Sequence, residues 1–280
     1  MSCLIAIDIG GTKIRIARLS HHYELLNSTT IATPHSLTEA KPAILEAIDV
    51  MAAGNHVQAI GVAAPAAIDR LKGSIGPFSN LAWPRFAIRS WLTRQYHCPV
   101  IIEHDATAAA ICEANIGAGQ KYRYQLFVTI STGIGSALTL DGKPLPGPHN
   151  TEGGHIMLED HPHSLRAGSF EYLASGRAIV REYGKIAAEI HSASDWSEIS
   201  RNFARGLHNL IMTTDPQVIV LGGGVSVHYK RFIKPLTHHL KTFNSPPSYP
   251  PPPILQAKYV ETAPLLGVGL LASGAVRAAA

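Results

Sequence analysis

Cysteine is scarce in this chain: three in 280 residues, at Cys3, Cys98 and Cys112. They are odd in number and far apart, which speaks against a disulfide framework or a CxxC metal site and suits reduced, buried thiols behaving as small hydrophobes. Charge is sparse too. Charged residues make up 16% against 46% hydrophobic, the balance of an ordinary folded protein rather than a disordered or membrane one. The first apolar run has no basic region before it and falls short of a signal peptide, because Asp8 interrupts it and strand-like alternation follows. A cytoplasmic protein with no membrane partner is expected. The net charge of +4 is compatible with an anionic ligand, but the basic residues are scattered, "YKRFIK" (229–234) being the densest group. A nucleic-acid partner is therefore not expected. The Walker pattern GxxxxGK[ST] is missing as well.

What the chain does have is small-residue turns placed after apolar strands. Strand signals at 4–9, 12–19, 23–33 and 57–64 surround a helical stretch at 36–52, and a helix at 88–96 precedes the strand "PVIIEHD" (99–105). "ATAAAICEANIG" (106–117) then has high helix propensity and ends on glycine, with Asp105 in the N-cap position. From residue 125, "QLFVTISTGIGSALTLDGKPL" repeats the opening order of strand, small-residue turn and strand. With Gly133 set against Gly11, the apolar positions of the two hairpins fall broadly in step. A weak duplication of this kind points to two related lobes facing each other across a cleft. Helices near 171–190 and 197–214, the strand "VIVLGGG" (218–224), a further helix, the proline-rich "SPPSYPPPP" (245–253), a strand near 254–260 and a helix at 264–276 complete the pattern. The proline tract reads as a stiff loop of polyproline II character.

In "DIGGTK" (8–13), Gly10 and Gly11 allow positive φ and leave backbone N–H groups open to a phosphate oxygen, while Thr12 adds a hydroxyl and Lys13 a positive charge. Asp8 would repel a phosphate unless a magnesium ion with its water shell lay between them. The residues alone leave a tight hairpin with a capping aspartate equally open. "STGIGS" (131–136) and "LGGGV" (221–225) are two further turns of this type, and three together favour a nucleotide clamped between the lobes.

These motifs, with "SNLAW" (79–83), "EHDATAAAICE" (103–113), "EGGHIML" (152–158) and "FEYLASG" (170–176) in the same order, resemble the ROK family of sugar kinases and repressors within the actin-like ATPase superfamily. The resemblance runs essentially end to end. It implies an α/β, two-lobed actin-like (ribonuclease H-like) fold with nucleotide and sugar bound in the interlobe cleft. Residues 1–117 would form the N-terminal lobe and 118–263 the C-terminal lobe, with 264–280 a helix packing back on the first. The implied activity is ATP- and magnesium-dependent phosphorylation of a hexose or N-acetylhexosamine at its 6-hydroxyl, of glucokinase or N-acetylmannosamine kinase type.

The resemblance assigns ATP to Asp8, Gly10, Gly11, Thr12, Lys13, Thr132, Gly133, Gly223 and Gly224, with Asp8 meeting magnesium through water. Sugar is assigned to Asn80, His104, Asp105, Glu152, His155 and Glu171, and a homodimer follows by analogy alone. Asp105 is implied as the catalytic base. A carboxylate at a helix start is favoured in its ionised form, and phosphoryl transfer depends more on alignment and charge neutralisation than on a strong base. A non-catalytic, sugar-sensing ROK protein or a degenerate kinase is the alternative. A repressor of the family would carry an N-terminal helix-turn-helix, and the first phosphate strand already begins by residue 4.

Three departures from the family pattern stand out. His104 replaces the asparagine common before the catalytic aspartate, and Ala66 replaces a glycine near the sugar; both bear on the substrate. Where many ROK proteins carry CxCGxxGCxE for a structural zinc, this chain reads "PHSLRAGSFE" (162–171), with Pro162, Ser164 and Ser169 in the cysteine positions. Neutral hydroxyls do not replace thiolates on zinc, and His161 and His163 alone make a poor set. No structural zinc is expected, leaving His155 free for the sugar. Elemental analysis of purified protein is expected to find zinc far below stoichiometric, and a strong chelator to leave its melting temperature unchanged. Stoichiometric zinc, or unfolding on chelation, would reverse this.

Overall fold

The apolar run at the N-terminus becomes β1 (Ser2–Ile9), buried from residue 3 to residue 7 and so covered on both faces. The computed structural model describes all residues except Met1, Ala66, Ser79, Asn80, Pro146, Pro148, His149, Pro162, His163, residues 244–249 and Ala280. The chain divides into two compact units. One contains the residues up to Cys112 and those from Thr262 onward; the other runs from Glu113 to Glu261 apart from a short stretch around Gly147.

In the first unit, β2 (Lys13–Leu19) and β3 (Leu25–Ala32) extend β1 antiparallel on one side. On the other side, β4 (His56–Ala64) and β7 (Val100–His104) continue it parallel, giving the order β3-β2-β1-β4-β7. A two-stranded ribbon of β5 (Ile68–Asp69) and β6 (Ser74–Ile75) lies between β4 and α2 (Ile88–Tyr96) in the chain. The odd residues of β1, from Cys3 to Ile9, join a core with Ile44, Ile48 and Met51 of α1 (Leu37–Ala52), whose buried residues recur at helical spacing. Ser36 starts that helix by accepting the Glu39 N–H at 3.3 Å.

The even face of β1 meets α8 (Ala263–Ala279), and here backbone packs on backbone. A Cβ at Gly61 of β4 would strike the Val268 carbonyl, and one at Gly267 would strike the Ala108 carbonyl of α3 (Asp105–Asn115).

The second unit repeats the plan. β8 (Tyr124–Ile130), β9 (Ile134–Leu140) and β10 (Lys143–Pro144) form the antiparallel part, and β11 (Val218–Gly222) and β12 (Ile254–Gln256) continue β8 parallel, in the order β10-β9-β8-β11-β12. The core contains Leu126, Val128 and Ile130 of β8, with Trp196 and Phe203 of α6 (Ala193–Thr214) against Phe232 of α7 (Tyr229–Phe243). Trp196 stacks on the Phe232 ring at 5.8 Å and Phe203 meets it edge-on at 5.4 Å.

Several element boundaries differ from the sequence expectation. The helix expected near 171–190 is two short ones, α4 (Phe170–Ala174) and α5 (Gly176–Tyr183), because Ser175 turns extended and caps α5 through the Ala178 N–H. Gly184, at φ 64°, then ends α5. The strand expected near 254–260 stops at Gln256, since the Lys258 and Tyr259 N–H groups turn to the Glu113 carboxylate at 3.0 and 2.7 Å. Glu113 is fully buried and also accepts from the Ala118 N–H, so three backbone donors satisfy a charge that would otherwise be costly. The helix after β11 begins with a 3-10 turn over Gly224–His228. Of the proline-rich run, residues 245–249 lie outside the described residues. Among the described residues no helix is long and apolar enough to cross a membrane.

The contact at Gly61 gives a stability test. Gly61→Ala is expected to cost about 1–3 kcal/mol by overpacking against a carbonyl that cannot retreat. Gly274→Ala in α8, where an added Cβ meets nothing within 4 Å, is expected to gain up to about 1 kcal/mol from helix propensity. Urea denaturation of the two variants checks both signs.

Candidate functional site

Parallel strands leave their carboxyl ends at one sheet edge, where open α/β sheets hold ligands. In the first unit this edge brings together the end of β1, the end of β4 and the junction of β7 with α3. Asp8 is the penultimate residue of β1, in register with Arg15 on β2 and Ala63 on β4. Burial, then the Asp105 charge, push its carboxyl up to about 7, with Arg15 opposing. The strand runs into α3 without an intervening cap: Asp105 is itself the first helical residue, and its Oδ1 accepts the Ala106 N–H at 2.6 Å. This corrects the expected N-cap placement by one position.

The turn after β1 is tighter than expected. Gly10 is not at positive φ, and its N–H closes the hairpin by donating to the Lys13 carbonyl at 2.8 Å. Glycine is needed there because a Cβ would lie 2.8 Å from that carbonyl oxygen. The Gly10 carbonyl accepts the Thr33 hydroxyl at 2.7 Å, and the Thr12 carbonyl accepts the Thr33 N–H at 3.0 Å. The Thr12 and Lys13 side chains remain exposed.

In the second unit, Glu152, His155 and Glu171 are drawn to the start of β9. The Gly153 N–H donates to the Ser136 hydroxyl at 2.9 Å, placing Glu152 and His155 at either end of the 3-10 turn Gly153–His155, with His155 Nε2 3.9 Å from Glu152 Oε2. The Phe170 N–H donates to the Ile156 carbonyl at 2.9 Å, which brings α4 alongside that segment. Glu171 Oε2 then accepts the Ile134 N–H at 2.9 Å, and the carboxylate fills the space that a Cβ at Gly133 would need. Ser169 caps α4, its hydroxyl accepting the Tyr172 N–H at 3.2 Å and donating to the Arg166 carbonyl at 2.8 Å.

Thr132 is exposed in the turn between β8 and β9. After β11, Gly223 adopts φ 81° with a Cβ position blocked by the Ile130 carbonyl and the Thr129 hydroxyl, whereas Gly224 faces open space. Asn80, Ala66, Pro162 and His163 lie outside the described residues. Among the described residues no group of three or more histidine, cysteine or acidic side chains is arranged to hold a metal.

The family model for ROK proteins matches residues 4–275. The chain belongs to the ROK family. A glucokinase of Halalkalibacterium halodurans is 28% identical over 284 aligned residues, 86% of each chain. A beta-glucoside kinase of Listeria monocytogenes is 27% identical over 267, covering 86% of this chain and 88% of its own. The ROK family glucokinase of Streptomyces griseus, solved in complex with glucose and AMPPNP, superposes with a TM-score of 0.84 at 26% identity, covering 97% of this chain and 99% of that one. The two-lobed actin-like fold of those structures is thus the fold of this ROK protein.

The sequence reading missed three groups in this ROK chain. Arg177 donates through Nε to the Thr132 carbonyl at 3.2 Å and stands 3.6 Å from Glu171 Oε1. One continuous helix over 171–190 would put Arg177 in its second turn, so no local pattern singled this residue out. Glu103 is buried and holds Arg70 through both carboxylate oxygens, while its Oε1 also accepts the His104 N–H at 2.7 Å. Arg70 lies 33 residues away in the chain, and no local pattern announces the pair. The same is true of Glu113.

Asp8 yields a pH test. Its folded pKa of about 7 lies above the ordinary 3.8, so its contribution to stability is fully present below about pH 4 and is lost as pH rises through about 7. Asp8→Asn, which never ionises, is expected to match wild type near pH 4 and to melt higher at pH 8, by at most about 4 kcal/mol. Thermal melts of the magnesium-free protein at the two pH values check this.

Proposed function

We propose that the chain transfers the γ-phosphoryl group of ATP to the 6-hydroxyl of a hexose or N-acetylhexosamine, with Asp105 as the base. It is a sugar kinase of the ROK family. The observation that carries the catalytic assignment is Asp105 at the start of α3, with Oδ1 held by the Ala106 N–H and the side chain about one-third exposed at the sheet edge beside Asp8. A carboxylate held by one oxygen offers the other to a hydroxyl proton. The sugar oxygen then bonds to the γ-phosphorus as the bond to the bridging β–γ oxygen breaks, ADP leaves, and the proton passes to Asp105.

The Asp8 carboxyl, held up by burial and by Asp105, sits in surroundings that a hard divalent cation would relieve, and its oxygen donors suit magnesium. Asp8 would hold that ion through its water shell; when bound, magnesium neutralises phosphate charge. Lys13, Thr12 and the Gly10–Gly11 turn are assigned to the phosphates, with Thr132, Gly133, Gly223 and Gly224 from the second unit. Gly10 serves by letting the backbone turn closely rather than by a free N–H.

Glu152, His155 and Glu171 are assigned to the sugar with Asn80. Carboxylates accept from hydroxyls and an imidazole can donate or accept, which suits a vicinal polyol. Ser169, occupied as a helix cap, supports the zinc-free reading of the 162–171 segment. A cytoplasmic site of action, a homodimer and the absence of nucleic-acid and membrane partners complete the proposal.

A coupled ADP-release assay over glucose, mannose, fructose, N-acetylglucosamine and N-acetylmannosamine tests the reading. Asp105→Asn is expected to lower turnover of the preferred sugar by at least ~10²-fold with nucleotide affinity changed by less than about 3-fold. A sugar-sensing protein without turnover would instead bind a sugar and release no ADP.

A further inference from the structure

His104 closes β7, and only 7% of the residue is exposed. Its Nδ1 is shut off from solvent and makes no hydrogen bond among the described residues. A buried polar atom without a partner is unfavourable, so such an atom beside a reactive group calls for an explanation. Nδ1 lies 3.4 Å from Asp105 Oδ1, the oxygen already held by the Ala106 N–H. The backbone behind the ring is fixed as well. The His104 N–H donates to Glu103 Oε1, and Glu103 is clamped by the Arg70 guanidinium.

The family resemblance assigns position 104 to the sugar, where an asparagine is common. The nitrogen buried against Asp105 is closed to a sugar hydroxyl, so of the two ring nitrogens only Nε2 is left for that role and Nδ1 is left for Asp105. We propose that His104 is a positioning residue for Asp105: with its proton on Nδ1 it donates to Oδ1, and together with the Ala106 N–H it fixes the carboxylate so that Oδ2 meets the sugar hydroxyl. At 3.4 Å the pair stands a few tenths of an ångström outside ordinary hydrogen-bond length, and catalytic contacts commonly tighten once substrate is bound. The inference rests on the reading of Asp105 as the base and adds to it the means by which one oxygen is selected.

His104→Phe keeps a ring in the buried site and removes the nitrogen; His104→Asn restores an amide donor at about the place of Nδ1. His104→Phe is expected to lower kcat about 10- to 100-fold with the sugar KM changed by less than about 3-fold, and His104→Asn to recover kcat to within about 5-fold of wild type. Because His104 acts through Asp105, His104→Phe combined with Asp105→Asn is expected to be no slower than Asp105→Asn alone. The inference is overturned by a His104→Phe enzyme with wild-type kcat, by a KM that rises as much as kcat falls, or by a double variant that loses the full factor of each single one. Should His104→Phe fail to fold by circular dichroism, His104→Leu stands in with the same outcomes. Nitrogen-15 spectra of wild type, expected to place the His104 proton on Nδ1, decide the contact without turnover; a proton on Nε2 with Nδ1 bare overturns it. A chain that phosphorylates none of the sugars while showing the Nδ1 proton would refute the kinase reading and leave the contact standing.

Discussion

Where Gly61 of β4 and Gly267 of α8 stand, no side chain separates the backbones, so α8 lies directly on the sheet and α3 directly on α8. Much of the first unit's site follows from that constraint. α3 is packed closely on α8, and Asp105 follows β7 with no linker between them, so the first residue of α3 is held at the sheet edge. Asp8 reaches the same edge by simple alternation: it shares a face of β1 with Leu4 and Ala6, the face that meets α8. Burial at that edge first, and the neighbouring Asp105 charge second, hold the Asp8 pKa high.

The second unit solves a different problem, that of aligning short, irregular segments. It does so with polar anchors at the start of β9 rather than with close packing. Ser136 holds the chain before His155, and the Ile134 N–H holds Glu171, so two segments distant in the chain share one strand as their reference. Glu171 is thereby partly committed. One oxygen serves the hairpin, and the other faces Arg177 and any ligand. A carboxylate shared in this way links the turn between β8 and β9 to the segment that carries His155.

Hydrophobic period and small-residue turns made the strands, the two-unit organisation and the hairpin repeat legible, because burial on one or both faces imprints directly on residue order. The junction at Asp105 was visible for the same reason, as an apolar strand meeting an alanine-rich helix. The break at Ser175 was less visible, since "FEYLASGRAIVREY" keeps a helical period across a serine and glycine that are each compatible with a helix. What fixes the break is the Gly176 N–H given to the Ser131 carbonyl at 2.7 Å, a contact from 45 residues earlier in the chain. Glu103, Glu113 and Arg70 were opaque on the same physical ground. A buried charge is satisfied by whatever donors the fold brings to it, and those donors are backbone groups or distant side chains without a local signature.

The repeated sheet plan also has an evolutionary side. Two halves that share one sheet plan need not share the same chemistry, and here the symmetry is broken in how each turn obtains a cation. The turn between β1 and β2 has Lys13 immediately after it, as the first residue of β2, whereas the turn between β8 and β9 has no basic residue and borrows Arg177 from α5. The borrowed arrangement separates the charge of the second turn from its shape. Selection can retune the one by drift in α5 while the hairpin that sets the other stays untouched.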